Sequence, residues 1–116
     1  MTNLIRKFVL LCFALTLSCS AMAAQVWIDV RTAEEFSTDH IKGDTNIPLA
    51  TIKAEELATK YGKDTELMLY CHTGNRAGKA KALLDAAGFT KVTNAGGIED
   101  VRKLRKLAES SASPAQ

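Results

Sequence analysis

The chain has 116 residues, room for one domain around one modest core and not for two. Fifteen basic residues against thirteen acidic ones leave a net charge of +2, too near balance to argue for nucleic-acid binding. Both surplus charges, Arg6 and Lys7, sit close to the N-terminus.

An apolar run from Phe8 to Leu17 follows that basic pair, and then "SCSAMAAQ", with small residues at Ala21 and Ala23. A short basic start, a short apolar stretch and an A-x-A site read as a secretory signal peptide over residues 1–23. The apolar run is short for a membrane span. The alternatives are an uncleaved N-terminal anchor and a lipid-modified Cys19, although "LTLSC" matches a lipobox poorly. Cleavage after Ala23 leaves 93 residues with thirteen basic and thirteen acidic side chains, and so no net charge. It also removes Cys12 and Cys19, which makes Cys71 the single thiol of the exported chain. Secreted domains usually pair their cysteines, so an odd one is either a small buried hydrophobe or a reactive group.

"VWIDV" (Val26 to Val30) is a short β-branched and apolar run, a strand by composition. Thr32 with Glu35 three residues later forms a capping box, which starts a short helix. "HIKGDTNIPL" reads as a loop with a very short strand near Asn46 and a stop at Pro48. Ala54, Leu57, Ala58 and Tyr61 recur at helical spacing, and Gly62 ends that helix. "ELMLY" (Glu66 to Tyr70) is continuously apolar, as a strand buried on both faces must be. Ala77, Ala80, Leu84 and Ala87 mark the next helix, closed by Gly88, whose alanines permit a close approach to a sheet. "KVTNAGG" reads as strand then turn. "IEDVRKLRKLAE" is a last helical pattern, with Ile98, Val101, Leu104, Leu107 and Ala108 expected to face inward. "RKLRK" (Arg102 to Lys106) reads as the solvated face of that helix, with docking of an anionic partner as the alternative. Residues 24–109 thus make one domain, and residues 110–116 a polar tail expected to be disordered. Strands alternating with helices predict an α/β fold, a small parallel β-sheet flanked by helices on both faces.

In such sheets, sites form beyond the carboxyl ends of the strands, and Cys71 stands there. The loop "CHTGNR" must turn the chain from strand into a helix starting near Arg76. Gly74 opens backbone conformations closed to other residues. A tight turn of this kind aims successive N–H groups at a common centre, and the helix adds its positive end. Both favour a thiolate over a thiol, and the thiolate is the nucleophile. The candidate site is therefore Cys71 as nucleophile, within an anion cradle made by His72, Thr73, Gly74, Asn75, Arg76 and Ala77. A thiolate already formed needs no general base, so His72 requires no proton-transfer role. Arg76 closes the loop and is a candidate for bidentate anion binding; otherwise it is a surface arginine at a helix start. Lys79, one turn on, reads as solvated.

"CHTGNRA" resembles the active-site loop C-x-x-G-x-R-[SA] of the single-domain rhodaneses, the thiosulfate sulfurtransferases. "WIDVRTAEEFSTDHIKGDTNIPL" resembles that family's N-terminal block, and "GFTKVTNAGGIEDV" its C-terminal block. Three blocks in order, covering Val26 to Val101, make the resemblance specific. Asp39, Asp44 and Asn94-Ala95 depart from the family pattern, all in loops, and bear on substrate fit more than on the reaction. His40 matches a position near the family's structural core and reads as a structural residue. Asp29 and Arg31 match D-x-R, one strand period apart and so on one face. Asp29 reads as structural, paired with backbone or a cation; Arg31 is a candidate supporting residue near the site, or a strand-end salt bridge.

The resemblance implies a two-step transfer. Cys71 takes the outer sulfur of thiosulfate as a persulfide, and a nucleophilic acceptor then removes it: cyanide in the assay tube, and a small thiol or a protein cysteine in an extracytoplasmic setting. It implies no metal or organic cofactor, no nucleic acid, no membrane contact once the signal peptide is removed, and a periplasmic location. A phosphatase or arsenate reductase on the same fold is an alternative, but the related phosphatases use C-x5-R, whereas Cys71 and Arg76 have four residues between them, a smaller cradle. A redox protein would want a resolving cysteine, which the exported chain lacks. A non-catalytic rhodanese-like binding module, or a persulfide carrier serving a partner protein, is the remaining alternative.

Overall fold

The computed structural model describes residues 24–112. Residues 1–23, on which the signal-peptide expectation falls, and the final residues 113–116 lie outside the described residues. The elements run β1 (Val26–Asp29), α1 (Ala33–Thr38), β2 (Thr45–Asn46), a 3-10 turn (Leu49–Thr51), α2 (Ala54–Tyr61), β3 (Leu67–Cys71), α3 (Asn75–Ala86), β4 (Val92–Gly97) and α4 (Ile98–Ala112).

All strand pairs are parallel, in the order β2-β1-β3-β4. β3 is buried at every position, which is why its sequence is apolar on both faces. One face packs Ile28, Leu67, Leu69, Cys71 and Val92 against Leu57 of α2 and Ala77, Ala80 and Leu84 of α3. The other packs Tyr70 against Ile98 and Val101 of α4, with Trp27 alongside. Helices on both faces of a small parallel sheet are the architecture that the alternation of elements predicts.

Local signals hold where they are chemical. Thr32 Oγ1 accepts from Glu35 N at 3.2 Å, and Glu35 Oε1 accepts from Thr32 N at 3.3 Å, so the capping box starts α1. Several boundaries differ. β1 closes at Asp29, although Val30 N still donates to Tyr70 O. β3 runs on through Cys71, so the nucleophile candidate is the strand's last residue. α3 begins at Asn75, and β4 carries through both Gly96 and Gly97 instead of turning before them. α4 extends to Ala112, into the segment expected to be a tail.

Leu104 is a correction: it is 53% exposed and does not face the core. The inward stripe of α4 is Ile98, Val101 and Arg105, spaced three and four apart. Arg105 takes the inner place because its guanidinium lies 4.8 Å over the Trp27 ring and forks onto Asp44 at 2.9 and 2.7 Å. Leu107 and Ala108 lie outside the residues whose side chains are described. His40 is a second correction, since it is exposed and outside the core. It stacks on Phe36 at 4.2 Å and bonds Phe36 O through Nδ1 at 2.9 Å, a structural role at the end of α1.

Candidate active site

β3 delivers Cys71 to the carboxyl end of the sheet, and the chain then turns at once into α3. Gly74 makes that turn at φ 95° and ψ −11°, in the left-handed region that glycine alone enters freely. The turn brings Gly74 N to 3.0 Å from Cys71 Sγ, donating to it. Burial pushes the Cys71 thiol up, but the backbone N–H groups of Ala77, Thr73, Gly74 and Arg76 outweigh it and hold the thiol below its ordinary value. Cys71 is 1% exposed and sits as the floor of the loop. His72, Thr73 and Asn75 form an exposed rim, Gly74 and Arg76 are half-buried, and Ala77 is buried beneath the first turn of α3. The loop residues singled out by sequence are therefore together, because they are contiguous and wrap one atom. Lys79 is exposed, away from this grouping.

Arg76 is committed to a partner. Its Nη1 and Nη2 donate to Glu35 Oε1 and Oε2 at 2.6 and 3.0 Å, an end-on fork between α3 and α1. The pairing raises Arg76 above its ordinary value, and the Cys71 charge raises it further. On the other side, the Arg76 hydrogen bonds prevail over burial and lower Glu35 to about 2. Glu35 was legible as a capping residue; its second role across 41 positions was not.

Arg31 turns away into β1. Its Nε lies 3.0 Å from both Asp29 carboxylate oxygens, and Nη2 reaches Asp29 Oδ2 at 2.8 Å and Asp39 O at 2.7 Å. Asp29 is fully buried and also accepts from Arg31 N. The strand-end salt bridge is what forms, and it pins the end of α1 to β1.

Asn94 is a residue that sequence reading passed over as a departure from pattern. Its Nδ2 donates to Gly74 O at 2.9 Å and its Oδ1 accepts from Gly96 N at 2.9 Å, tying the loop to β4. Contact there is so close that a Cβ on Gly97 would meet His72 O at 2.4 Å. Only the run of polar and glycine residues in "TNAGG" hinted at such an approach.

The pattern of the rhodanese-like domain matches residues 18–104 of this chain. The chain belongs to the rhodanese-like domain family. It is 42% identical over 93 residues to the thiosulfate sulfurtransferase PspE of Escherichia coli, spanning 79% of this chain and 88% of that protein. It is 33% identical over 81 residues to the chloroplastic thiosulfate sulfurtransferase 16 of Arabidopsis thaliana, spanning 61% and 68% of the two chains. Among solved structures it is similar to a rhodanese with anions from E. coli, at 41% identity and TM-score 0.61, covering 66% of this chain and 91% of that one. A rhodanese-like domain protein from Staphylococcus aureus matches at 27% identity and TM-score 0.57, covering 74% and 82%. Sulfur transfer is the activity class that this rhodanese-like chain shares with its named relatives. Among the described residues no helix is long and apolar enough to cross a membrane.

Proposed function

We propose that this rhodanese-like protein is a thiosulfate sulfurtransferase with Cys71 as its nucleophile. The observation that carries the reading is the Gly74 N–H donating to Cys71 Sγ at 3.0 Å, with the N–H groups of Ala77, Thr73 and Arg76 also lowering the thiol. Oriented donors of this kind favour a thiolate, and they equally favour the negative outer sulfur of a persulfide. The named relatives PspE and sulfurtransferase 16 support thiosulfate as the donor.

In the first step the Cys71 thiolate attacks the sulfane sulfur of thiosulfate. A new S–S bond forms, the S–S bond of thiosulfate breaks, and sulfite leaves with the bonding pair. The product is a persulfide anion on Cys71, and the total charge is unchanged. In the second step cyanide or a thiolate attacks that outer sulfur, giving thiocyanate or a new persulfide, and the Cys71 thiolate returns. No proton moves between protein and substrate in either step, so neither step needs a general base. A small thiol or a protein cysteine is the acceptor we assign to the extracytoplasmic setting. That setting follows from reading residues 1–23 as an export signal, on the basic pair, the apolar run and the A-x-A site.

Intact-mass analysis of protein recovered from the periplasm tests both parts. Before treatment the mass should equal that of residues 24–116. After thiosulfate it should rise by one sulfur atom and fall back with cyanide, while Cys71→Ser stays unchanged and folded. Failure of reduced, folded protein to gain sulfur would remove thiosulfate as donor; absence of the protein from the periplasm would remove the export reading, and a mass matching the full chain would remove cleavage after Ala23.

A further inference from the structure

Glu35 lies far from Cys71 in sequence, and the transfer chemistry just proposed gives it no task. Its carboxylate nevertheless holds both terminal nitrogens of Arg76, at 2.6 and 3.0 Å. A guanidinium has five N–H donors, and an end-on fork consumes two of them. Three remain, on Nε and on the outer sides of Nη1 and Nη2, in a plane fixed by the fork. The anchor is rigid in turn. Glu35 is locked to Thr32 N and Thr32 Oγ1 at 3.3 and 3.1 Å. α1 is held at both ends: Thr32 caps its start, and Arg31 Nη2 takes Asp39 O at its finish. Arg31 is itself clamped on the buried Asp29 of β1. Two charge-assisted clamps, Asp29–Arg31 and Glu35–Arg76, are thus joined through the backbone of α1, from the core strand β1 to the arginine of the Cys71 loop.

We infer that Glu35 is a positioning residue for the sulfur donor, acting through Arg76 to present its free N–H donors to an anionic group above Cys71. The inference rests on the sulfur-transfer reading and adds how the donor's sulfonate end is recognised. A long arginine side chain left unanchored at a loop rim loses rotamer freedom whenever it engages an anion. Anchored, it has already lost that freedom, and a planar donor set meets the sulfonate end of thiosulfate at less cost. Glu35 touches no reacting atom in this arrangement. Its carboxylate also offsets the Arg76 charge, so donor recognition is directional more than a matter of excess positive charge.

The test is a double-mutant cycle on the loading step, read by intact mass as the thiosulfate concentration giving half-maximal loading rate. Glu35→Gln keeps an oxygen for the Thr32 N–H and removes the charge and one arm of the fork. It should raise that concentration about tenfold, equivalent to about 1.4 kcal/mol, with little change in the maximal rate. In an Arg76→Ala background the same substitution should change nothing further, since its effect passes through the arginine. Thermal unfolding of each variant shows that the folded state is compared in every case. An equal effect of Glu35→Gln in both backgrounds would make it a helix-capping residue and overturn the inference, and so would no effect in either. Wild type that takes sulfur normally beside such variants would leave sulfur transfer intact while Glu35 is discarded. Wild type that takes none would overturn both.

Discussion

The ionisation of the Cys71 sulfur is set by competition. Burial in an apolar floor raises the Cys71 thiol, and the loop N–H groups lower it by more. The folded value therefore lies below the unfolded one. The ionised thiolate then stabilises the fold above the unfolded pKa, and that contribution fades as pH falls through the folded value. Alkylation of native protein by iodoacetamide should have its midpoint below the ordinary thiol value of about 8.5, returning there in denaturant. A native midpoint at or above the ordinary value would mean that the cradle does not activate the thiol. Glu35, at about 2, stays ionised across the same range. Sulfur loading measured from about pH 4 to about pH 9 should accordingly show one ionisation on its acid side, that of Cys71.

At the scale of elements, the site depends on how closely β4 approaches the loop after β3. Gly97 pairs with Cys71 across the sheet, beyond a register shift that begins after Leu69. A Cβ there would lie 2.4 Å from His72 O, a backbone atom with no freedom to swing aside. Gly97→Ala should therefore push the loop away from β4, costing about 1–3 kcal/mol. Urea unfolding measures that loss. The alkylation midpoint of Cys71 should rise with it, as the N–H groups move off the sulfur. A stable Gly97→Ala protein with an unshifted midpoint would show that the loop keeps its shape without β4.

For the whole molecule, the face opposite the site's helix is closed by a polar clamp. The buried Tyr70 donates its hydroxyl to Asp44 at 2.7 Å, and Arg105 forks onto the same carboxylate while lying over Trp27. Arg102 pairs with Asp39 at 2.8 Å and with Glu99. Both arginines of "RKLRK" thus bind α4 to its own domain, which leaves Lys103 and Lys106 as that stretch's solvated charges. Asp44→Ala strands the Tyr70 hydroxyl in a dry interface and should cost about 2 kcal/mol in urea unfolding. Sulfur loading below the transition should keep its rate, because Asp44 lies outside the loop and its supports. A loss under about 0.5 kcal/mol would make the clamp incidental.

The strand–loop–helix around Cys71 and the α/β class were legible from local pattern alone. These rest on signals within one turn or one strand of each residue: apolar continuity in β3, alanines spaced for α3, a glycine where the chain reverses. The N–H cradle was legible for the same reason, since it is made by consecutive residues. Which charges meet was set by the packing of elements distant in the chain. Arg76 could face substrate or solvent until α1 brought Glu35 to it from 41 positions away. Leu104 and Arg105 are adjacent on one helix, and the apolar side chain was expected inside. The fold reversed them, because Trp27 and Asp44 on the facing surface offer a guanidinium a ring and a carboxylate. Local periodicity carries no information about that facing surface, and pairing free energy depends on it entirely.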